Sequence, residues 1–124
     1  MAVIGWKLDP EHRTALLDRL PPVWPDVIAD HITLKSGASA DEPLPSATEG
    51  AIVGSIDDGQ GLQAMVVSID GTTDRPGGGT YHITWSLDRG RGRKAVQSND
   101  VIAARRWRPL AQPIAIRIQP ARFD

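Results

Sequence analysis

The 124-residue chain contains no cysteine. Disulfides, thiolate metal sites and a cysteine nucleophile are therefore excluded, and the composition fits a reducing compartment. No apolar stretch approaches membrane-spanning length, and Met1 to Leu8 has neither the basic start nor the long apolar run of a secretory signal. A soluble, cytoplasmic protein is the expectation. A Gly-x-x-x-x-Gly-Lys phosphate loop, a nucleotidyl-transfer lysine motif and a Gly-x-Ser-x-Gly elbow are all missing. Histidine is scarce too, with three copies, yet two of the three stand in the same tripeptide.

A chain of this length forms one domain with a real core. Its charge is nearly balanced, 14 basic against 15 acidic residues, but the two signs segregate. Residues 1–74 hold four Lys/Arg and twelve Asp/Glu, whereas residues 75–124 hold ten Lys/Arg and three acids, or −8 against +7. A basic half of this kind suits either a solvated surface or a wall beside a phosphate-bearing substrate.

Periodicity predicts the order β-α-β-β-β-β-α-β. Ala2 to Leu8 reads as a strand. Asp9 suits a helix N-cap, Pro10 the first helical position and Glu11 the positive end of the helix dipole. Leu16 and Leu20 follow with Ala15 and Leu17 at helical spacing, until Pro21-Pro22 stops the helix. Ile28 to Lys35 reads as a strand and residues 36–48 as a loop. Gly50 to Asp57 and Leu62 to Asp70 form a hairpin around Asp58-Gly59-Gln60-Gly61. Thr72 to Gly79 is a flexible glycine loop, Thr80 to Leu87 a strand, and Asp88 to Gln97 a basic loop. Ser98 or Asn99 caps a short helix running to about Trp107. Ile114, Ile116 and Ile118 alternate with polar partners in a closing strand. This pattern predicts an α+β fold, rich in antiparallel sheet, with helices on the outer faces.

The tripeptides His31-Ile32-Thr33 and His82-Ile83-Thr84 lie 51 residues apart, each inside a predicted strand. Alternation turns His and Thr to one face and Ile to the other. Side by side, two such strands offer two imidazoles and two hydroxyls to one small anion. Two imidazoles around a phosphate make an acid–base pair that works near neutral pH, so the residues point to a phosphodiesterase. His12 lies on the polar side of the first helix without a partner pattern and reads as a surface residue.

The paired motifs resemble the 2H phosphoesterase superfamily, marked by two His-x-Thr/Ser motifs. The stretch Leu20-Pro21-Pro22-Val23-Trp24-Pro25 before the first motif is similar to the Pro-rich approach of the cyclic phosphodiesterase domain in fungal and plant tRNA ligases. So is the Gly- and Lys-bearing loop from Gly92 to Ser98-Asn99 after the second. The resemblance covers roughly residues 3 to 118. It implies a bilobed fold in which both histidine strands line a central groove. It further implies metal-independent hydrolysis of a 2′,3′-cyclic phosphate to a 2′-phosphate and a 3′-hydroxyl, with no cofactor. The substrate would be an RNA end or a nucleotide, ADP-ribose cyclic phosphate included. With no kinase or adenylyltransferase region in this chain, separate polypeptides would supply those steps to an otherwise monomeric enzyme.

By analogy with the superfamily, His82 takes the proton of water and His31 protonates the leaving ribose oxygen. Thr33 and Thr84 would donate hydrogen bonds to the non-bridging oxygens, where charge builds. Alternation also turns Lys35 and Ser86 to the histidine face, as pocket-rim candidates. Arg89, Arg91, Arg93 and Lys94 are candidates for RNA phosphate contacts. Tyr81 and Trp85 fall on the Ile83 face and, with Trp6, Trp24 and Trp107, read as packing residues. Three rivals follow from the same residues. Two histidines could ligate zinc, but no third ligand is evident and Asp30 points away from His31 in a regular strand. A non-catalytic RNA-end-binding module would keep the fold and the basic loop. A Ser or Thr nucleophile lacks its elbow.

Overall fold

The computed structural model describes residues 2–123. Strand β1 (Ala2–Leu8) leads into α1 (Pro10–Arg19), followed by β2 (Asp26–Val27) and β3 (His31–Ala38). The hairpin β4 (Glu49–Asp57) and β5 (Leu62–Ser68) precedes β6 (His82–Leu87). Two 3-10 turns, Arg89–Arg91 and Ala95–Gln97, lead to α2 (Ser98–Ala104), and β7 (Arg108–Phe123) closes the chain. All strand pairs are antiparallel, in the order β2-β6-β5-β4-β7-β1-β3. The molecule is thus α+β, a curled antiparallel sheet with two short helices. No helix among the described residues is long and apolar enough to cross a membrane.

Helix α1 starts where local chemistry places it. The Asp9 carboxylate accepts the Glu11 amide at 3.0 Å, and Pro10 occupies the first turn, where its missing N–H costs nothing. Its Leu16 is buried with Trp6, Leu8 and Ile32 in the main core, which also holds Met65, Val67, Ile83 and Trp85. Tyr81 meets Trp6 edge-on at 5.7 Å. Both buried indole N–H groups find carbonyls, Trp6 on Ala47 and Trp85 on Leu20, so the large rings bury area without an orphaned donor. A second cluster lies under α2, where Ile102 packs on Ile56, Leu62, Ala64 and Leu87. Strand β5 is therefore covered on both faces. Trp107 packs at the edge of this cluster; Trp24 stays outside both, half-buried under Arg91.

The sheet curls far enough to bring β3 beside β6, although four strands separate them in the sheet order. Two features close this curl. Strand β7 is longer than its alternating isoleucines predict: it pairs with β4 as far as Arg117 and with β1 from Ile118 onward. Pro109 and Pro113 do not end it, because they lie at and within an irregularity in the β4 pairing, where a missing N–H is tolerated. The second feature is a change of partner before the first motif. Ile28 and Ala29 donate to the carbonyls of Trp85 and Thr84 in β6, whereas the Asp30 carbonyl accepts Leu8 of β1, each at 2.9 Å. The strand expected from Ile28 therefore begins at His31.

Ala29 makes that switch with φ of 42°, a left-handed conformation unfavourable for a residue with a Cβ. Arg13 of α1 holds it there, donating to the Ala29 carbonyl at 3.0 Å and the Ile28 carbonyl at 3.1 Å. Beyond the crossing, β1 and β3 run unusually close. A Cβ on Gly5 would stand 2.1 Å from the Ile32 carbonyl oxygen, so only glycine allows this approach.

Candidate active site

The two tripeptides meet. His31 and Thr33 from β3 face His82 and Thr84 from β6 across one cavity of about 250 Å³. Ser36 and Arg75 complete one side, and Ala95, Val96 and Asn99 the other. Ile32 and Ile83 turn away into the main core and are fully buried. Alternation thus anchors each motif by its isoleucine and presents its His and Thr.

The two imidazoles sit in different surroundings. Nδ1 of His82 lies 2.8 Å from the Thr80 carbonyl. A carbonyl only accepts, so Nδ1 carries the proton and the Nε2 lone pair is free in the neutral ring. Burial pushes the His82 pKa below its ordinary 6.5. The Thr80 contact opposes this, while the nearby charges of Arg75 and His31 reinforce it. His82 is therefore biased to its neutral form, with Nε2 open to accept a proton. Nδ1 of His31 instead meets the Asp30 carboxylate at 3.1 Å. Asp30 reaches it because the partner switch at Ala29 breaks regular alternation, contrary to its expected outward direction. The Phe123 ring, 5.0 Å from His31, borders the imidazole from β7.

The threonines differ as well. No side-chain hydrogen bond engages the Thr33 hydroxyl among the described residues, whereas Thr84 is 7% exposed and tied to α2. Its Oγ lies 2.8 Å from the Ser98 hydroxyl and donates to the Ala95 carbonyl at 3.3 Å. Ser98 is fully buried. If Ser98 donates to Thr84, the Thr84 proton can turn from a long carbonyl contact to an anion in the cavity. Ser98, read from the sequence as a helix cap, is thus the support of Thr84.

Several rim candidates lie elsewhere. Ser86 is fully buried, donating to Gln63 at 2.6 Å and accepting the Trp24 amide. A bulge opposite Gln63/Ala64 shifts the register between Thr84 and Ser86, so Ser86 leaves the histidine face that alternation assigns to it. Arg93 forms an ion pair with Asp58, itself 3% exposed, and ties the basic loop to the β4–β5 turn. Arg91 pairs with Asp88 over the face of Trp24. Lys94 is exposed and, like Arg91 and Arg93, does not line the histidine cavity. Lys35 borders a neighbouring cavity, paired with Glu42. That hydrogen bond holds the Glu42 carboxyl below its usual range. His12 accepts the Arg117 amide at 3.2 Å and docks α1 on β7.

The cation that does reach the site is Arg75, which no motif marks. Its loop closes through Arg75 donating to the Gly79 carbonyl and Gly78 to the Arg75 carbonyl, both at 3.0 Å. Gly78 and Gly79 have φ of 106° and 92°, open only to glycine. Within the expected glycine loop, a turn from Arg75 to Gly79 places this arginine at the cavity wall. Among the described residues no group of three or more His, Asp or Glu is placed to hold a metal ion. No family model, curated protein or solved structure matches the chain.

Proposed function

We propose that this chain is a 2′,3′-cyclic phosphodiesterase with a bilobed 2H phosphoesterase-like fold, acting on RNA ends or nucleotides by histidine acid–base catalysis. The observation that carries the reading is the convergence of both His-x-Thr pairs on one cavity from strands far apart in sequence and in sheet order. Water attacks phosphorus in line, and Nε2 of His82 takes its proton. The bond from phosphorus to the ribose 3′ oxygen breaks, and the His31 imidazolium gives that oxygen a proton. The products are a 2′-phosphate and a 3′-hydroxyl, and the two histidines exchange protonation states over the cycle. Asp30 orients His31 and balances its charge. Thr33 and Thr84 donate to the non-bridging oxygens, and Arg75 adds positive charge at the edge of the cavity. The neutral state of His82 and the carboxylate beside His31 support this division of labour.

The test is hydrolysis, in EDTA, of an RNA oligonucleotide ending in a 2′,3′-cyclic phosphate. A 2′-phosphate product that disappears in His31→Ala and His82→Ala supports the reading. A 3′-phosphate product reverses the leaving group. Tight binding of the RNA without turnover replaces the enzyme with an end-binding module.

A further inference from the structure

A second cavity, of about 470 Å³, adjoins the histidine cavity, and Ser36 and Arg75 belong to the walls of both. Leu34 and Pro76 give it apolar surface, and Lys35 and Glu42 bring charge. Lys35 donates to both Glu42 carboxylate oxygens, at 2.8 and 3.0 Å, so these two charges cancel locally. Arg75 donates through Nε to the Gly78 carbonyl at 3.1 Å. It has no carboxylate within ion-pair distance among the described residues. An uncompensated guanidinium therefore stands where the two cavities join. Sites for small organic ligands commonly measure about 300–1,000 Å³. The histidine cavity alone falls below that range, and the joined groove enters it.

On the phosphodiesterase reading the smaller cavity takes the cyclic phosphate, and the rest of the substrate continues from the ribose 5′ oxygen. Resting on the phosphodiesterase reading, we propose that the second cavity is a subsite for a 5′-phosphoryl group and the nucleoside beyond it. The groove thereby selects the 3′ end of an oligoribonucleotide over a free cyclic nucleoside. Arg75 takes the 5′-phosphoryl oxygens with its free guanidinium donors, a geometry suited to phosphate. Lys35 turns from Glu42 to share that charge, and Leu34 and Pro76 receive the apolar face of the preceding nucleoside.

The experiment compares kcat/KM for adenosine 2′,3′-cyclic phosphate, its 5′-phosphorylated form, and the dinucleotide ApA with a 2′,3′-cyclic phosphate. The 5′-phosphate is expected to raise kcat/KM about tenfold, which is ~1.4 kcal/mol, and the second nucleoside to raise it further. Lys35→Ala is expected to cut the ratio of dinucleotide to cyclic nucleoside about threefold. Equal efficiency on all three substrates overturns the subsite and leaves the phosphodiesterase standing. A gain from the 5′-phosphate that the second nucleoside reverses overturns the oligonucleotide assignment, with a free nucleotide as the source of the phosphate. No turnover of any substrate overturns the phosphodiesterase and the subsite together.

Discussion

Replacing His82 with Gln removes the proposed base while keeping a polar side chain of similar reach. In the native protein, Nδ1 is committed to the Thr80 carbonyl at 2.8 Å, and burial lowers the pKa below 6.5. The ring is thus already in its working form at neutral pH, and its whole contribution is lost on substitution. A positioned general base is worth about 10²–10⁴-fold, or roughly 3–5 kcal/mol of barrier. The same environment affects stability. Below 6.5 the unfolded chain binds a proton that the folded chain resists, so this group makes stability rise with pH up to that value and adds no slope above it. The assay is kcat/KM on a cyclic-phosphate oligonucleotide from about pH 5 to about pH 8, with denaturant unfolding over the same window. The native protein should show an acid limb below 6.5 and a parallel rise in stability, and His82→Gln should lose both. A variant within threefold of native activity, or an acid limb centred above 6.5, refutes the assignment of His82 as base.

Other substitutions separate support from chemistry. Ser98→Ala leaves Thr84 without its buried partner. It should cost about 1–2 kcal/mol of stability and lower kcat more than it raises KM, as read by thermal unfolding and steady-state kinetics. Thr33→Val should lower kcat about tenfold or more while Thr33→Ser retains activity, since a donor aimed at developing charge acts in the transition state. Arg93→Ala strands the Asp58 carboxylate, which keeps only the Gln60 and Leu62 amides. It should cost about 3 kcal/mol in denaturant unfolding and leave the salt dependence of RNA turnover unaltered, because Arg93 is spent on the fold. Arg13→Ala frees the strained Ala29 crossing. It should destabilise by about 2 kcal/mol, with hydrogen exchange rising first at His31 and Ile32.

Much of the fold is legible in the residue pattern. The Asp9-Pro10 start of α1, the β4–β5 hairpin, the two histidine strands and the buried faces of Ile32, Ile83 and Trp85 all follow from local rules: caps, turn residues and a period of two. The errors arise where tertiary pairing overrides that period. One bulge opposite Gln63 moves Ser86 from the cavity to the interior. One left-handed residue, Ala29, moves the start of β3 from Ile28 to His31, from where it runs on to Ala38 in the stretch expected as loop, and it swings Asp30 onto His31. The basic loop after the second motif reads as an RNA surface by charge alone, yet Asp58 and Asp88 claim two of its arginines. Charge in a sequence does not disclose its partner.

By itself the sequence determined which groups could do chemistry: two imidazoles, two hydroxyls and no thiol, each motif held by its own isoleucine. Only the tertiary structure decided that the four groups share one cavity, that Arg75 joins them, and that burial lowers the pKa of one histidine while the other meets a carboxylate. The physical reason is range. A cap, a turn or an alternating strand is set by neighbours a few residues away. The curl that lays β3 beside β6 is set by the whole sheet, through β7, Ala29 and the close approach at Gly5. A side chain's electrostatic surroundings exist only once that curl has closed.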